Sequence, residues 1–244
     1  MTGPRRDGVL IIGAGGLGCP AALAAAAGGV RRIGVVDDDR VDSSNLHRQI
    51  LHGAATVGQL KVTSLAAALT RRFPDVGVTT HGVRFDAAHA AALLADYDVL
   101  VDGSDNFATK FVANDAAVLA GVPLVHGAAV GTGGQLLTVP AGGHPCYRCL
   151  FEELPPPGVG PSCAEAGVLG PVPGVIGALQ GLEAARLCSG ESPAFSGRLI
   201  QYDSLGMMVR AVTFKPNPLC RVCGNNPPIR RLDPAEYPEA GCSV

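Results

Sequence analysis

Long apolar runs, clusters of basic residues and internal repeats are all missing from this sequence of 244 residues. No apolar run approaches the length of a membrane span, and no apolar segment of a signal peptide follows Arg5 and Arg6. The formal net charge of −2 and the lack of a basic patch argue against a nucleic-acid-binding protein. The sequence therefore predicts a cytoplasmic protein that binds neither membranes nor nucleic acids.

Charged residues are also few, at 16% against 47% hydrophobic residues, which is enough apolar material for the core of one large domain. In the first half of the chain, short apolar runs alternate with segments of helical period. Such alternation predicts a doubly wound, mostly parallel sheet. The predicted strands are 8–12, 33–36, 76–83, 99–101 and 123–126, and the predicted helices are 18–28, 61–72, 87–95 and 107–120.

The pattern changes after residue 130. Repeated prolines and glycines predict a long loop over 154–173. A helix is expected over 175–188, with Gly190 as its stop. Strands are expected at 135–139, 199–202 and 208–214, with the last two paired. The fold class is thus α/β, with antiparallel strands that extend the sheet. We expect one domain over 1–225 and a Pro-rich tail over 226–244.

A glycine-rich loop, Gly13-x-Gly15-x-x-Gly18, lies between the first predicted strand and helix. Glycines there permit a tight turn and a close backbone approach to phosphates, and the helix N-terminus adds amide donors. Asp37 ends the next strand, near the spacing of a ribose-binding acid. These features predict a nucleotide site but fit an NAD-dependent oxidoreductase equally well.

A densely polar segment follows the second strand, where dinucleotide enzymes usually enter a helix at once. It contains Asn45 and Arg48, and Lys61 follows shortly. A triphosphate needs such groups, because its leaving pyrophosphate gains charge in the transition state. A solvated loop is the alternative interpretation, and the combination of all three residues favours a triphosphate. Asp105 follows the carboxyl end of a later strand, where open α/β sheets place their ligands.

Four of the eight cysteines form two C-x-x-C pairs, Cys146 with Cys149 and Cys220 with Cys223. Four thiolates suit tetrahedral Zn²⁺ in a closed structural site. A redox C-x-x-C is the competing interpretation, and the presence of two pairs favours zinc. The wide separation of the pairs implies that the metal ties the chain after the sheet to the chain near its end.

Seven stretches occur in the order found in one family: GAGGLGCPAA, DDDRVDSSNLHRQILH, VGQLKV, VDGSDN, HPCYRCLF, SCAEAGVLGPVPGVIGALQGLEA and NPLCRVCG. Over roughly residues 8–225 the chain therefore resembles the ThiF/MoeB/HesA family, the bacterial relatives of ubiquitin E1 enzymes. The resemblance implies a Rossmann-like adenylation domain with a zinc knuckle. It implies ATP-dependent adenylation of the C-terminal Gly carboxylate of a ubiquitin-like sulfur carrier, for thiamine or molybdopterin biosynthesis.

The resemblance also implies a role for each matching residue. It places Asp37 on the ribose hydroxyls, Asn45 and Arg48 on the phosphates, and Lys61 near the α-phosphate. It assigns Mg²⁺ to Asp105, although Asp105 or Asn106 would also serve as the N-cap of the following helix. The phosphate-lining glycines are Gly13, Gly15, Gly16 and Gly18.

The resemblance implies that the partner is a sulfur-carrier protein with a Gly-Gly tail. It also implies that this chain forms a homodimer. Cys163 lies in the predicted loop, where ThiF-like members carry a cysteine that can bond to the carrier and MoeB-like members carry one without a clear need for it. The resemblance therefore makes Cys163 a candidate catalytic residue, and a plain loop cysteine is the alternative. An arginine ahead of the first strand completes the neighbouring subunit's ATP site in the family, and Arg5 and Arg6 are the candidates here. Two alternatives are a carrier-binding scaffold with weakened catalysis and an E1-like tRNA-modifying dehydratase.

The remaining cysteines and histidines carry no assigned chemistry. Cys19 and Cys188 lie in apolar helices and are expected to be small core residues. His47, His52 and His126 flank or approach the predicted site, and each is interpreted as structural.

Overall fold

The computed structural model describes residues 7–155 and 167–238. Among these residues, no helix combines the length and the apolar character needed to cross a bilayer. The main elements follow one another as β1 (Gly8–Ile12), α1 (Gly18–Ala27), β2 (Arg32–Val36), α2 (Lys61–Arg72), β3 (Gly77–His81), α3 (Ala90–Leu94), β4 (Val99–Asp102), α4 (Phe107–Ala120), β5 (Leu124–Val130), β6 (Gly133–Val139), α5 (Pro171–Cys188), β7 (Arg198–Asp203) and β8 (Met208–Thr213).

All eight strands belong to one sheet in the order β3-β2-β1-β4-β5-β6-β7-β8. The strands β1 to β5 pair in parallel, whereas β6, β7 and β8 add in antiparallel fashion. The predicted fold class, a doubly wound and mostly parallel sheet extended by antiparallel strands, is confirmed. The order of connection reverses between β1 and β4, so a crevice opens there at the carboxyl ends of the strands.

Alternate residues of β1 point into two separate cores. Val9 and Ile11 pack with α1, α2 and α5 on one face of the sheet. Leu10 and Ile12 pack with α3, α4 and Tyr147 on the other. Because both faces of the parallel strands are covered, β1 is a continuous apolar run rather than an alternating one.

Two elements, α5 and β5, extend furthest beyond their predicted bounds, each by four residues at one end. The helix α5 begins at Pro171 rather than at residue 175, because prolines at Pro171 and Pro173 are tolerated in a first turn whose amides have no intrahelical partner. The strand β5 continues to Val130 because its last residues pair with β6, in register from Leu124 with Val139 to Val130 with Gly133.

A buried ion pair ties the C-terminal segment to the domain. The side chains of Arg148 and Asp115 are each at most 1% exposed, and the guanidinium binds the carboxylate in bidentate fashion at 2.9 and 2.8 Å. The Tyr237 hydroxyl donates to the same carboxylate at 2.8 Å. Tyr237 and Ile229 belong to the core that contains α4, so the segment from Ile229 to Tyr237 is anchored on the sheet domain.

The Asp115 carboxylate is expected to matter more for stability than its hydrogen bond to Tyr237. Asp115→Ala leaves the Arg148 cation buried without a counter-charge, which costs about 3–5 kcal/mol of unfolding free energy. Tyr237→Phe removes one hydrogen bond and costs about 1–2 kcal/mol. Urea unfolding followed by circular dichroism measures both. A smaller loss for Asp115→Ala than for Tyr237→Phe would contradict this account.

Candidate active site and four-cysteine cluster

A cleft of about 670 Å³ occupies the crevice at the carboxyl ends of β1 and β4. It brings together the glycine loop, the polar segment after β2 and the loop after β4. Every candidate ligand residue predicted from the first half of the sequence, except the tightly packed Gly18, lines it. These are Gly13, Gly15, Gly16, Asp37, Asn45, Arg48, Lys61 and Asp105.

The glycine loop has a geometry that only glycine allows at two positions. Gly13 has a φ of +86°, and a Cβ added to Gly18 would lie 1.8 Å from the Gly13 carbonyl oxygen. Gly18 therefore packs the start of α1 tightly against the loop instead of lining the cleft. Gly15 and Gly16 do line it, beside the N-terminus of α1, where backbone amides favour an anion.

Asp37 holds the glycine loop from the next strand. Its Oδ2 accepts a hydrogen bond from the Ala14 amide at 2.7 Å, and its Oδ1 accepts one from the Asp39 amide at 2.8 Å. Burial raises the pKa of the Asp37 carboxyl, while Lys61 and the two amides oppose that rise. The carboxylate thus lies at the edge of the cleft with lone pairs remaining for further donors.

Cationic side chains enter the cleft from the segment after β2. Lys61, at the start of α2, is 8% exposed, and its Nζ lies 2.6 Å from the Oδ2 of the exposed Asp39. Arg48 lies 3.4 Å from the ring of His47. The backbone turn that precedes Arg48 begins at Asp42, whose carboxylate accepts from the Ser44 amide at 2.8 Å. Both cations therefore line the same cleft as the glycine loop, together with the carboxylates of Asp38 and Asp39.

The N-cap of α4 is Asn106, whose Oδ1 accepts from the Thr109 amide at 2.9 Å. Of the two capping candidates in the sequence, the structure thus selects Asn106. The cap does not require the neighbouring Asp105, whose exposed side chain lines the cleft. The Asp105 carboxylate consequently shares one cavity with Arg48, Lys61 and the phosphate-type loop.

Sequence reasoning missed several buried groups beneath the cleft. Burial would raise the pKa of Asp102, but Lys110, His126 and Ser104 outweigh it and hold that pKa well below its usual range. Gln49 is 4% exposed and lines the cleft, and its Oε1 has no hydrogen-bond partner among the described residues. These residues lie far apart in the sequence. The only sequence signals for them are that Asp102 ends a predicted strand and that Gln49 follows Arg48.

His52 supports the glycine loop, in line with its structural interpretation. Burial lowers the pKa of His52, so the ring is neutral near neutral pH. Its Nε2 donates to the Ala14 carbonyl at 2.8 Å, and its Nδ1 accepts from the Ser64 hydroxyl at 2.9 Å. Cys19 packs beside it, and burial raises the pKa of this thiol to about 12, as expected for a core cysteine.

The four cysteines of the two C-x-x-C pairs converge on one point. Their Sγ atoms all lie within 4.8 Å of one another. Four separations are 4.0 Å (Cys146–Cys149), 3.5 Å (Cys146–Cys220), 3.4 Å (Cys146–Cys223) and 3.5 Å (Cys149–Cys223). Tetrahedral Zn²⁺ with Zn–S bonds of about 2.3 Å places its sulfurs about 3.8 Å apart, so this donor set fits zinc.

Several candidate residues fall outside the described ranges. Cys163, Arg5 and Arg6 belong to this group. The structure therefore bears on the cleft and the four-cysteine cluster but not on the predicted loop thiol or on Arg5 and Arg6 as substitutes for the family's N-terminal arginine.

Comparison with known proteins gives consistent matches. The sequence profile of the ThiF family matches residues 5–222. A sulfur carrier protein adenylyltransferase from Thermus thermophilus is 45% identical over 245 residues, which is 98% of this chain and 89% of that protein. A SAMP-activating enzyme E1 from Haloferax volcanii is 44% identical over 249 residues, covering 100% and 91%.

The adenylyltransferase and sulfurtransferase MOCS3 from Anopheles gambiae is 45% identical over 229 residues. The chain spans about half the length of such relatives, since the match covers 93% of this chain and 52% of MOCS3. Among solved structures, Escherichia coli MccB with ATP has a TM-score of 0.75 at 22% identity, covering 90% of this chain and 67% of that one. At this identity the likeness concerns the fold alone.

Proposed function

Because this chain belongs to the ThiF family, we propose that it adenylates the C-terminal Gly carboxylate of a ubiquitin-like sulfur-carrier protein, using ATP. The observation that carries the proposal is the shared cleft. It brings the glycine loop, Arg48, Lys61 and Asp105 to one cavity at the switch point of the sheet. The names of the Thermus and Haloferax relatives supply the class of substrate.

In the proposed reaction, a carboxylate oxygen of the carrier attacks the α-phosphorus of ATP. A new P–O bond forms to the carboxylate, the bond to the β-phosphate oxygen breaks, and pyrophosphate leaves with that electron pair. The attacking carboxylate is already ionised at neutral pH, so no protein base is needed. Catalysis then rests on positioning and on neutralising charge.

Each predicted ligand residue that lines the cleft has a role in this proposal. The glycine loop and the α1 N-terminus bind phosphate oxygens, and Asp37 accepts hydrogen bonds from the ribose hydroxyls. Arg48, with Asn45, and Lys61 neutralise the phosphates. Asp105 would hold Mg²⁺, which would screen the charge on the reacting phosphates. The four cysteines would hold a structural Zn²⁺.

The wider setting is also part of the proposal. The carrier delivers sulfur for thiamine or molybdopterin synthesis, and Cys163 is its thiol contact. The protein acts in the cytoplasm as a homodimer. In support of a dimer, α5 has an apolar outer surface, with Leu182 52% and Val175 39% exposed.

Isotope exchange between ATP and pyrophosphate tests the reaction directly. With a carrier ending in Gly-Gly and Mg²⁺, we expect exchange that depends on the carrier. A carrier without the terminal glycines is the matched control and should support none. Carrier binding without exchange would contradict the proposal and would favour a scaffold.

The Asp37→Asn variant tests the ribose contact. A hydrogen bond to a charged acceptor is worth about 1.5–3 kcal/mol, so ATP binding should weaken about 10–100-fold. Titration calorimetry with ATP and with its 2′- and 3′-deoxy analogues separates this contact from a loop defect. The wild type should prefer ATP, and the variant should lose that preference. A preference that survives in Asp37→Asn would remove the assignment.

A further inference from the structure

A buried carboxylate lies directly beneath the loop that carries Asp105. Asp102 is fully buried, and its Oδ1 accepts from the Ser104 amide at 2.9 Å and from the Ser104 hydroxyl at 2.6 Å. The Ser104 carbonyl accepts from the buried Lys110 Nζ at 2.7 Å. The amide and the carbonyl of Ser104, the residue before Asp105, are thus each hydrogen-bonded to a buried side chain.

His126 and Lys110 both contact the second oxygen of this carboxylate. The ring Nδ1 of His126, on β5, donates to Asp102 Oδ2 at 2.7 Å, and the ring is 2% exposed. Lys110 Nζ is more distant from the same oxygen, at 3.4 Å. Since His126 occupies Oδ2, the other oxygen remains directed at Ser104.

His126 is held in turn by the first C-x-x-C segment. The Tyr147 ring, between Cys146 and Cys149, lies 4.6 Å from the His126 ring, centroid to centroid. The Tyr147 amide donates to Asn114 Oδ1 at 2.8 Å, and Asn114 Nδ2 lies 3.8 Å from the Cys146 sulfur. Tyr147 is 3% exposed, so its buried ring packs against the ring of His126.

We propose that His126 is a positioning residue for the Asp105 loop, and that the four-cysteine cluster holds His126 in place through Tyr147. Contacts are continuous from Cys146 through Tyr147, His126 and Asp102 to Ser104. The cluster thereby acts on the geometry of the cleft as well as on stability. This inference rests on the proposed function only where it assigns Mg²⁺ to Asp105.

Two substitutions at His126 separate the hydrogen bond from the bulk of the ring. The amide of His126→Asn places an N–H donor near the position of Nδ1, whereas His126→Leu has no donor. Amide hydrogen exchange of residues 103–106, measured by mass spectrometry, reports the position of the loop without any need for activity. We expect exchange about tenfold faster or more in His126→Leu and near wild type in His126→Asn.

The same pair has a catalytic readout. His126→Leu should raise the Mg²⁺ concentration for half-maximal ATP–pyrophosphate exchange about tenfold or more, because small misplacements of a catalytic group are costly. Binding of ATP without metal should change little. His126→Asn should restore the Mg²⁺ dependence. A folded His126→Leu whose loop exchange and Mg²⁺ dependence both match those of His126→Asn would overturn the proposal.

Substitutions at Tyr147 test whether the four-cysteine cluster holds His126 in place. They also provide the test if His126→Leu does not fold. Tyr147→Ala removes the ring that packs against His126, and Tyr147→Phe keeps that ring. When both variants contain the same amount of zinc, only Tyr147→Ala should speed the amide exchange of residues 103–106. Equal exchange in the two variants would overturn the proposal that the cluster holds His126 through Tyr147. If the wild type lacks carrier-dependent activity, the proposed function fails, while the hydrogen-exchange comparison still decides this inference.

Discussion

Asp105→Ala is expected to lower carrier-dependent ATP–pyrophosphate exchange by about 10²–10³-fold, the usual loss when one preorganised electrostatic group is removed from a reacting centre. The physical reason is the loss of the carboxylate proposed to hold Mg²⁺ beside the glycine loop. Initial exchange rates over a range of Mg²⁺ concentrations measure the effect, and the variant should require more Mg²⁺ than the wild type.

Asp75→Ala is the matched control for this substitution. Asp75 is also an exposed carboxylate, but it does not line the cleft. Its variant should retain the exchange rate and the Mg²⁺ dependence of the wild type. Equal rates for Asp105→Ala and Asp75→Ala would sink the magnesium assignment.

Cys220→Ser is expected to release the bound zinc and to destabilise the protein strongly. A structural zinc site contributes on the order of 10 kcal/mol of apparent binding free energy, much of it coupled to folding. Even a loss of about 3 kcal/mol would lower the Tm of a chain of this size by roughly 6–12 °C. Elemental analysis for zinc and thermal unfolding by circular dichroism measure the two effects.

Cys188→Ser serves as the control for cysteine loss as such. Cys188 lies at the end of α5, away from the cluster, and burial raises the pKa of its thiol to about 12. Its variant should keep zinc and lose little stability. If Cys220→Ser retained zinc as well as Cys188→Ser does, the cluster would not be a zinc site.

The parts of the fold set by local patterns were predictable from the sequence. The helices at 61–72 and 107–120 have the predicted bounds, because their apolar residues recur at helical period and Asn106 and Gly121 mark the ends of the second. The four-cysteine cluster was also predictable, since soft thiolates in two short pairs specify their chemistry without knowledge of the fold.

Contacts that depend on topology were not predictable. His126 is 24 residues from Asp102 and meets it because β4 and β5 are neighbours in the sheet, with Asp102 in register with His126. Lys110 is 8 residues from Asp102 and reaches it from α4. The docking of Tyr237 on Asp115 spans 122 residues of sequence. Polar residues at such positions look the same in a sequence whether they are buried partners or solvated side chains.

The central claim is that the carrier's C-terminal carboxylate becomes an acyl-adenylate, and mass spectrometry of the intact carrier tests it most directly. The protein is incubated with Mg-ATP, pyrophosphatase and a carrier ending in Gly-Gly, and the reaction is quenched in acid. We expect the carrier to gain the mass of one adenylyl group, and tandem fragmentation should place that group on the terminal glycine. A carrier that is bound but unchanged in mass, or an adenylyl group attached to any other residue, would contradict the account.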